Sequence, residues 1–303
     1  MKKNTSTKEL KLSNNEKLYL ESKSLFQPNK FENLFPDGLK IYTFHAGFKK
    51  KFKDLLVIVF DKTASVSCVY SKTSMPSAPI IWDKINNKGK VKALIVNSGN
   101  ANAHTGVKGI DAINNYVNFL CRKINCKPKE VLVSSTGVIG EQIEPNLITK
   151  QFSKIDNSKQ TGLLDAAKAI MTTDTYPKIS TKKIKIDNKI INIFGIAKGS
   201  GMICPNMGTM LAYIFIDVDL SRLEIKKFIN NNLEETFNSI SVDGDTSTSD
   251  TFALFSIKKN KINLKNIKNF NKINSSIFGI MQDLSLKVIK DGEGLSKLLV
   301  LKV

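Results

Sequence analysis

The chain divides much of its apolar content into short runs, each long enough for a strand and too short for an independent buried helix. Leu55–Phe60 (Leu-Leu-Val-Ile-Val-Phe), Ala93–Val96, Val131–Val133, Met210–Ile216 and Ala253–Ile257 are of this kind. Unbroken runs such as the first read as strands covered on both faces, since a strand with one wet face alternates instead. Between them the period changes. Ile110, Ile113, Val117, Leu120 and Ile124 recur at helical spacing, Leu163–Met171 is Ala-rich and helical, and Ile277–Ile289 repeats the pattern. Ser221 and Glu224 have the spacing of a capping box ahead of Ile225, Phe228, Ile229 and Leu233. Alternation at Ile184/Ile186 and Ile191/Ile193 about Asp187-Asn188 predicts a hairpin. The first forty residues read as polar and irregular, and the Asn/Lys-rich stretch Lys258–Asn274 as a surface connector. Mixed α and β structure follows, with no regular βαβ period and no internal repeat. Topology does not follow from this pattern.

The 303 residues suffice for one or two domains with a large core. The basic start Met1-Lys2-Lys3-Asn4-Thr5 leads into polar sequence rather than an apolar h-region, and no apolar run approaches the roughly 18 residues of a membrane helix. The expectation is a soluble, cytoplasmic protein with no membrane partner. A formal charge of +19 invites a nucleic-acid partner. The lysines, however, are spread along the chain beside Asn and Ile, as in Lys182-Lys183-Ile184-Lys185-Ile186, instead of being gathered on one element with interleaved aromatics. No nucleic acid is expected. Cys68, Cys121, Cys126 and Cys204 lack the spacing of a metal site, so no metal is expected and the thiols read as reduced and mostly buried. Only His45 and His104 are present, which points any nucleophile toward activation by something other than imidazole.

The stretch Lys198-Gly199-Ser200-Gly201-Met202-Ile203-Cys204-Pro205-Asn206-Met207-Gly208-Thr209-Met210-Leu211 carries the chemistry. On spacing alone it is a small-residue loop entering a strand. Its alternative reading is a scissile Gly208–Thr209 bond. Glycine leaves the carbonyl open and permits strained backbone angles, so the Thr209 hydroxyl can attack it and give an ester that water resolves. Cleavage frees the α-amine of Thr209, whose reference pKa of about 8 suits a general base better than a lysine at about 10.4. A threonine activated by its own N-terminal amine needs no histidine.

Further blocks follow in order. Ser74-Met75-Pro76-Ser77-Ala78-Pro79 precedes Asn97-Ser98-Gly99-Asn100-Ala101-Asn102-Ala103. Next come Ser135-Thr136-Gly137-Val138-Ile139-Gly140 and Met171-Thr172-Thr173-Asp174-Thr175-Tyr176-Pro177-Lys178. Beyond Thr209 lie Ser241-Val242-Asp243-Gly244-Asp245-Thr246-Ser247-Thr248 and Asp291-Gly292-Glu293-Gly294. Taken as a series spanning most of the chain, these resemble the ornithine acetyltransferase (glutamate N-acetyltransferase) family of arginine biosynthesis.

The resemblance implies an α+β fold, a layered α/β/β/α sandwich, processed into an α subunit (1–208) and a β subunit (209–303) that assemble as a heterotetramer. It implies acetyl transfer from N-acetylornithine to glutamate through acetyl-Thr209, with no metal or organic cofactor. Some members also accept acetyl-CoA, which would add an amino-acid N-acetyltransferase activity, and the sequence leaves that open. By the same resemblance Thr136 and Gly137 form the oxyanion hole through a hydroxyl and a backbone N–H. Thr172, Lys198, Thr209 and Glu293 contact substrate, Lys198 opposite a carboxylate and Glu293 opposite an ammonium group. Without the resemblance, Thr136-Gly137 reads as a strand-ending turn, Lys198 as a solvated lysine and Glu293 as a turn acid. Asp243 and Asp245 receive no catalytic role. Departures from the family pattern are Gly208 for its usual Ala, His104 for Cys and Ser249 for Asn. The chain stops within Leu298-Leu299-Val300-Leu301-Lys302-Val303, which reads as an apolar strand. Family members continue further, into a segment with an Asn and a Ser/Thr that complete the pocket, so a truncated chain is expected. The competing readings are an N-terminal-nucleophile amidase or aminopeptidase, with water as acceptor, and an inactive fragment.

Overall fold

A computed structural model describes residues 24–28, 30–31, 33–204 and 210–299. Among these, eight strands form one hydrogen-bonded sheet doubled over on itself. The strands are β1 (Leu39–Phe44), β2 (Leu55–Tyr70), β3 (Lys90–Asn100), β4 (Val131–Val138), β5 (Lys178–Ile186), β6 (Lys189–Lys198), β7 (Leu211–Val218) and β8 (Thr251–Asn260). Their order is β4-β3-β2-β8-β7-β6-β5, with β1 paired to β2 off this path. The fold line is β2, whose register shifts between Val59 and Ala64. β2 pairs with β1 over Leu55–Phe60 and with β3 both before the shift and at Ala64 and Ser65 after it, while from Ser65 to Tyr70 it pairs antiparallel with β8. A β-bulge bends and twists its strand, which lets one strand serve both leaves.

Side-chain alternation then builds three cores. Leu56, Ile58 and Phe60 of β2 point inward, between the leaves, with Leu94, Val96 and Leu132. They meet Phe194 and Ile196 of β6, Leu211, Tyr213 and Phe215 of β7, and Ala253 and Phe255 of β8. Phe194, Phe215 and Phe255 are register partners across three strands, with centroids 5.2 and 4.8 Å apart, and Phe60 meets Phe255 at 5.4 Å from the opposite leaf. The alternate residues Leu55, Val57, Val59, Ala93, Ile95, Val131 and Val133 face outward onto helices α1 (Ala78–Asn86), α2 (Gly106–Ile124) and α3 (Pro145–Phe152). On the other leaf, Ala212, Ile214, Ile216, Phe252 and Leu254 face α5 (Arg222–Asn232) and α6 (Ile267–Ile289). The Ala-rich α4 (Leu163–Ile170) packs into the space between the leaves. Both faces of the central strands are therefore dry, as their unbroken apolar runs require. The α+β, α/β/β/α layering expected from the family resemblance is the observed architecture.

Local chemistry sets several boundaries. Asp187 and Asn188 turn the β5–β6 hairpin with φ of 48° and 60°, the left-handed pair that a two-residue hairpin needs. Ser221 caps α5 by accepting from the Glu224 N–H while the Glu224 carboxylate accepts from the Ser221 N–H. Pro145 opens α3, where its missing N–H costs nothing.

Four expectations need correction. The first forty residues are not wholly irregular, because β1 begins at Leu39. Lys258–Asn274 is not a free connector: β8 runs to Asn260 and α6 begins at Ile267, ten residues before its expected start. Only Cys121 among the cysteines is buried, the others being half-covered. Leu298 and Leu299 lie in no strand and Leu299 is 81% exposed, while Val300–Val303 fall outside the described residues. Among the described residues no helix is long and apolar enough to cross a membrane.

Candidate active site

The parallel pair β3–β4 brings two glycines face to face. Gly99 is the register partner of Gly137, and both have positive φ, 107° and 131°. A Cβ on Gly137 would stand 2.3 Å from the Gly99 carbonyl carbon, and one on Gly99 would stand 2.8 Å from the Phe48 carbonyl oxygen. The backbones thus approach too closely for any side chain. Thr136 is buried beside them, and β4 continues through Thr136-Gly137 to Val138, so these residues are inside the strand rather than in a turn after it.

Thr136, Gly137 and Val138 form one wall of a cleft of about 480 Å³. Thr172, Lys198, Gly201, Asp243, Glu293 and Lys49 also line it. The expected site residues Thr136, Gly137, Thr172, Lys198 and Glu293, far apart in sequence, therefore share one cavity. Gly208 and Thr209 lie outside the described residues. Their chain neighbour Met210 leads directly into β7, and Leu211 pairs with Lys198.

Lys198 is 3% exposed at the end of β6, which removes the solvated-lysine reading. It makes no salt bridge among the described residues; burial lowers its pKa, while the charges of Asp174 and Asp250 pull it back up. A buried ammonium at a cleft without a closed ion pair favours an anionic ligand there. Lys49 is a second cation. The buried Asp54 carboxylate accepts the N–H groups of Ala46, Gly47 and Lys49, which folds that loop and delivers Lys49 to the cleft. Its Nζ donates to the Met171 carbonyl at 2.6 Å, and burial lowers its pKa to about 8.

The floor is organised by Asp174. Its Oδ1 accepts from Lys178 Nζ at 2.6 Å and from the Gly199 N–H at 2.7 Å, and its Oδ2 accepts from the Thr172 N–H at 3.0 Å. Burial alone would raise this carboxyl, but the charges of Lys178 and Lys198 with these donors hold it at about 2. Lys178 also bonds Asp291 Oδ2 at 2.6 Å, and Asp291 holds the N–H and hydroxyl of Thr175. From there Ser200 Oγ donates to the Asp291 carbonyl, and the Glu293 N–H donates to the Ser200 carbonyl at 3.0 Å. Glu293 lies in a turn and is exposed at the rim of the cleft. A Cβ on Gly201 would meet its Oε2 at 2.6 Å, so that glycine makes room for the carboxylate. Asp243 accepts the N–H groups of Met202 and Ile203 and shapes the loop that ends before the undescribed segment. Among the described residues no group of three or more His, Cys, Asp and Glu could hold a metal ion.

The sequence alone gives no role to four groups at or behind the cleft: Lys49, Gly99, Asp174 and Asp250. Gly99 and Asp174 lie within the ordered motif blocks, whereas Lys49 is one of a run of lysines with no distinguishing signal.

The arrangement offers a carboxylate at the rim, one buried and one half-buried lysine inside and a strand-borne hydroxyl and amide on one wall, which suits a small zwitterionic substrate. The chain is 39% identical over 290 residues to the arginine biosynthesis bifunctional protein ArgJ of Bartonella henselae, covering 94% of this chain and 71% of that one. It is 38% identical over 275 residues to the ArgJ protein of Agrobacterium fabrum, covering 88% and 67%. A crystal structure of the ArgJ protein of Bacillus halodurans superposes with a TM-score of 0.53 at 35% identity, covering 56% of this chain and 91% of that one. A Pyrococcus horikoshii structure shares the fold alone, with a TM-score of 0.50 at 10% identity. With the family's sequence pattern matched over residues 40–303, the chain belongs to the ArgJ family.

Proposed function

We propose that the chain is a self-cleaving acetyltransferase that moves acetyl from N-acetylornithine to glutamate through an ester on Thr209. The carrying observation is the convergence of Thr136, Gly137, Thr172, Lys198 and Glu293 on one cleft, beside the strand that starts just after residue 209. Cleavage of Gly208–Thr209 divides the chain into 1–208 and 209–303, and the two pieces assemble as a heterotetramer. The freed α-amine then takes the proton of the Thr209 hydroxyl as the hydroxyl attacks the acetyl carbonyl. Thr136 and Gly137 supply the hydroxyl and N–H that meet the developing oxyanion. Lys198 holds the substrate carboxylate, Glu293 the ammonium group, and Thr172 contacts the substrate beside them. Ornithine leaves, glutamate enters the same cleft, and its amine attacks the acetyl ester. No metal or organic cofactor takes part; acetyl-CoA is a further acetyl donor to be tested.

Intact mass and N-terminal sequencing of the purified protein test the first step: two chains are expected, the second beginning at Thr209. Incubation with N-acetylornithine alone should add one acetyl mass to that second chain, and initial-rate lines for the two substrates should be parallel. An uncut chain, a cut elsewhere or intersecting lines without an acetyl-enzyme would reject this reading. Release of free acetate without need of glutamate would favour an amidase.

A further inference from the structure

The cleft carries charge of both signs, and the two signs are grouped. A Cβ on Gly201 would stand 2.6 Å from Glu293 Oε2 and 3.5 Å from Asp243 Oδ2, so two carboxylates border the same small residue. Lys198 and Lys49 line the same cavity and are near enough to each other that the charge of Lys198 helps to lower Lys49. The position of Lys49 is specified by its surroundings. Lys50, Lys51 and Lys53 of the same loop are exposed, whereas Lys49 is half-buried, with its N–H on Asp54 Oδ2 at 2.9 Å and its Nζ on the Met171 carbonyl at 2.6 Å. That neutral carbonyl takes one of three ammonium N–H groups and leaves the charge unbalanced. The carboxylates whose charge reaches Lys49 are engaged elsewhere. Asp54 accepts the N–H groups of Ala46, Gly47 and Lys49, and Asp174 accepts from Lys178, Gly199 and Thr172. A half-buried ammonium in this setting gains from a ligand carboxylate.

The two substrates of the proposed reaction share an α-carboxylate and differ at the far end, which is an ammonium in N-acetylornithine and a second carboxylate in glutamate. Lys198 and Glu293 suffice for the first. They leave the second carboxylate of glutamate without a cation. We infer that Lys49 is the acceptor-specificity residue, its ammonium pairing with the side-chain carboxylate of glutamate while Lys198 holds the α-carboxylate. This role rests on the reading of the chain as an acetyltransferase with glutamate as acceptor. Donor and acceptor side chains then diverge from one anchor, toward Glu293 in the first case and Lys49 in the second. The Lys49 charge also turns the ornithine ammonium away from its own end of the cleft.

The test isolates the acceptor step. Enzyme acetylated with N-acetylornithine and freed of donor is mixed with glutamate or with glutamine, which has the same size without the side-chain charge. Loss of the acetyl mass is timed, less the loss in buffer alone. Wild type should prefer glutamate, and Lys49→Met should cut the glutamate-to-glutamine ratio of rate constants about ten- to hundredfold, the scale of one hydrogen bond to a charged group. Lys49→Arg keeps the cation and should restore most of the ratio. A purely structural Lys49 would slow both acceptors together, so an unchanged ratio in Lys49→Met overturns the role, as does wild type that treats the two acceptors alike. If a thermal melt shows Lys49→Met to be unfolded, the wild-type pH profile decides. Burial lowers Lys49 to about 8, and the charges that reach it are those of Asp54, Asp174 and Lys198. Lys51, Lys53, Asp165 and Lys168 line the adjoining cavity. Lys198 acts on the α-carboxylate common to both acceptors and cancels in the ratio, which should therefore fall from about pH 7 to about pH 9 as Lys49 loses its proton. A flat ratio overturns the role. If N-acetylornithine leaves no acetyl on the enzyme, the acetyltransferase reading fails and the role of Lys49 falls with it; acetyl-enzyme that forms but discharges without regard to Lys49 overturns that role alone.

Discussion

Thr136 is buried in a strand, with its hydroxyl on a residue that lines the cleft, so replacing it by alanine removes a donor without removing the wall. Thr136→Ala should lower acetyl turnover by about 10² to 10³, the scale for one lost oxyanion donor, with little change in folding. A steady-state assay paired with a thermal melt checks this, and a loss of less than a few fold would take Thr136 out of the oxyanion hole. Thr136 is picked out only by the family resemblance, since on spacing alone Thr136-Gly137 reads as a strand-ending turn. Asp174 and Asp250 are not picked out, because both act on main-chain N–H groups, of Gly199 and Thr172 in one case and Met210 in the other. Spacing carries no sign of partners such as Gly199 and Met210, 25 and 40 residues away, that contribute only their backbone. Lys49 was hidden differently: beside Lys50, Lys51 and Lys53 it is chemically unmarked, and only the Asp54 nest singles it out.

The β3–β4 pair shows what a single element demands. Gly137 must keep φ near 131° with the Gly99 backbone where its Cβ would be. Gly137→Ala should therefore cost about 1–3 kcal/mol from backbone strain alone, before any clash is relieved. Urea unfolding should show it, and turnover should fall with it as β4 moves away from the cleft; an unchanged midpoint would contradict the geometry. Strands buried on both faces were readable because their apolar runs had no other use, and the β5–β6 hairpin because Asp187-Asn188 is a turn of known hand. β1 escaped because Lys40 and Thr43 break up its pattern, although tertiary packing buries Thr43 and leaves only Lys40 exposed. The first half of α6 escaped because Lys268, Asn271 and Lys272 hide Ile273 and its neighbours among polar residues, and the Asn266 side chain, which caps the helix at the Lys268 N–H, looks like more of the same. The doubling of the sheet is not readable from the residue pattern and enters only through the family resemblance, since it depends on a register shift within β2 and on pairings between distant strands.

Across the whole molecule, the buried triad Asp174–Lys178–Asp291 ties the loop before β5 to the end of α6. Lys178→Met leaves two buried carboxylates without their cation and should cost about 3–5 kcal/mol. The sign of its pH dependence is fixed. In the wild type the depressed Asp174 contributes stability above its unfolded pKa, and this is lost only as pH falls through about 2. Asp291 is already raised by burial in the wild type; in the variant, without the Lys178 charge, Asp174 would be raised too and Asp291 further, so their protonated forms favour the fold and stability falls as pH rises. The deficit measured by urea unfolding should thus shrink between pH ~7 and ~5, whereas a constant deficit would mean that lost packing, not charge, is responsible. The strand order has a consequence of its own. β7 and β8, which follow residue 209, are inlaid between β6 and β2, which precede it. A nick at 208–209 leaves all of those ladders zipped, so the two pieces stay married without any covalent tie. Any treatment that divorces them has torn open the middle of the sheet and bared a sticky seam on each side of the orphaned pair.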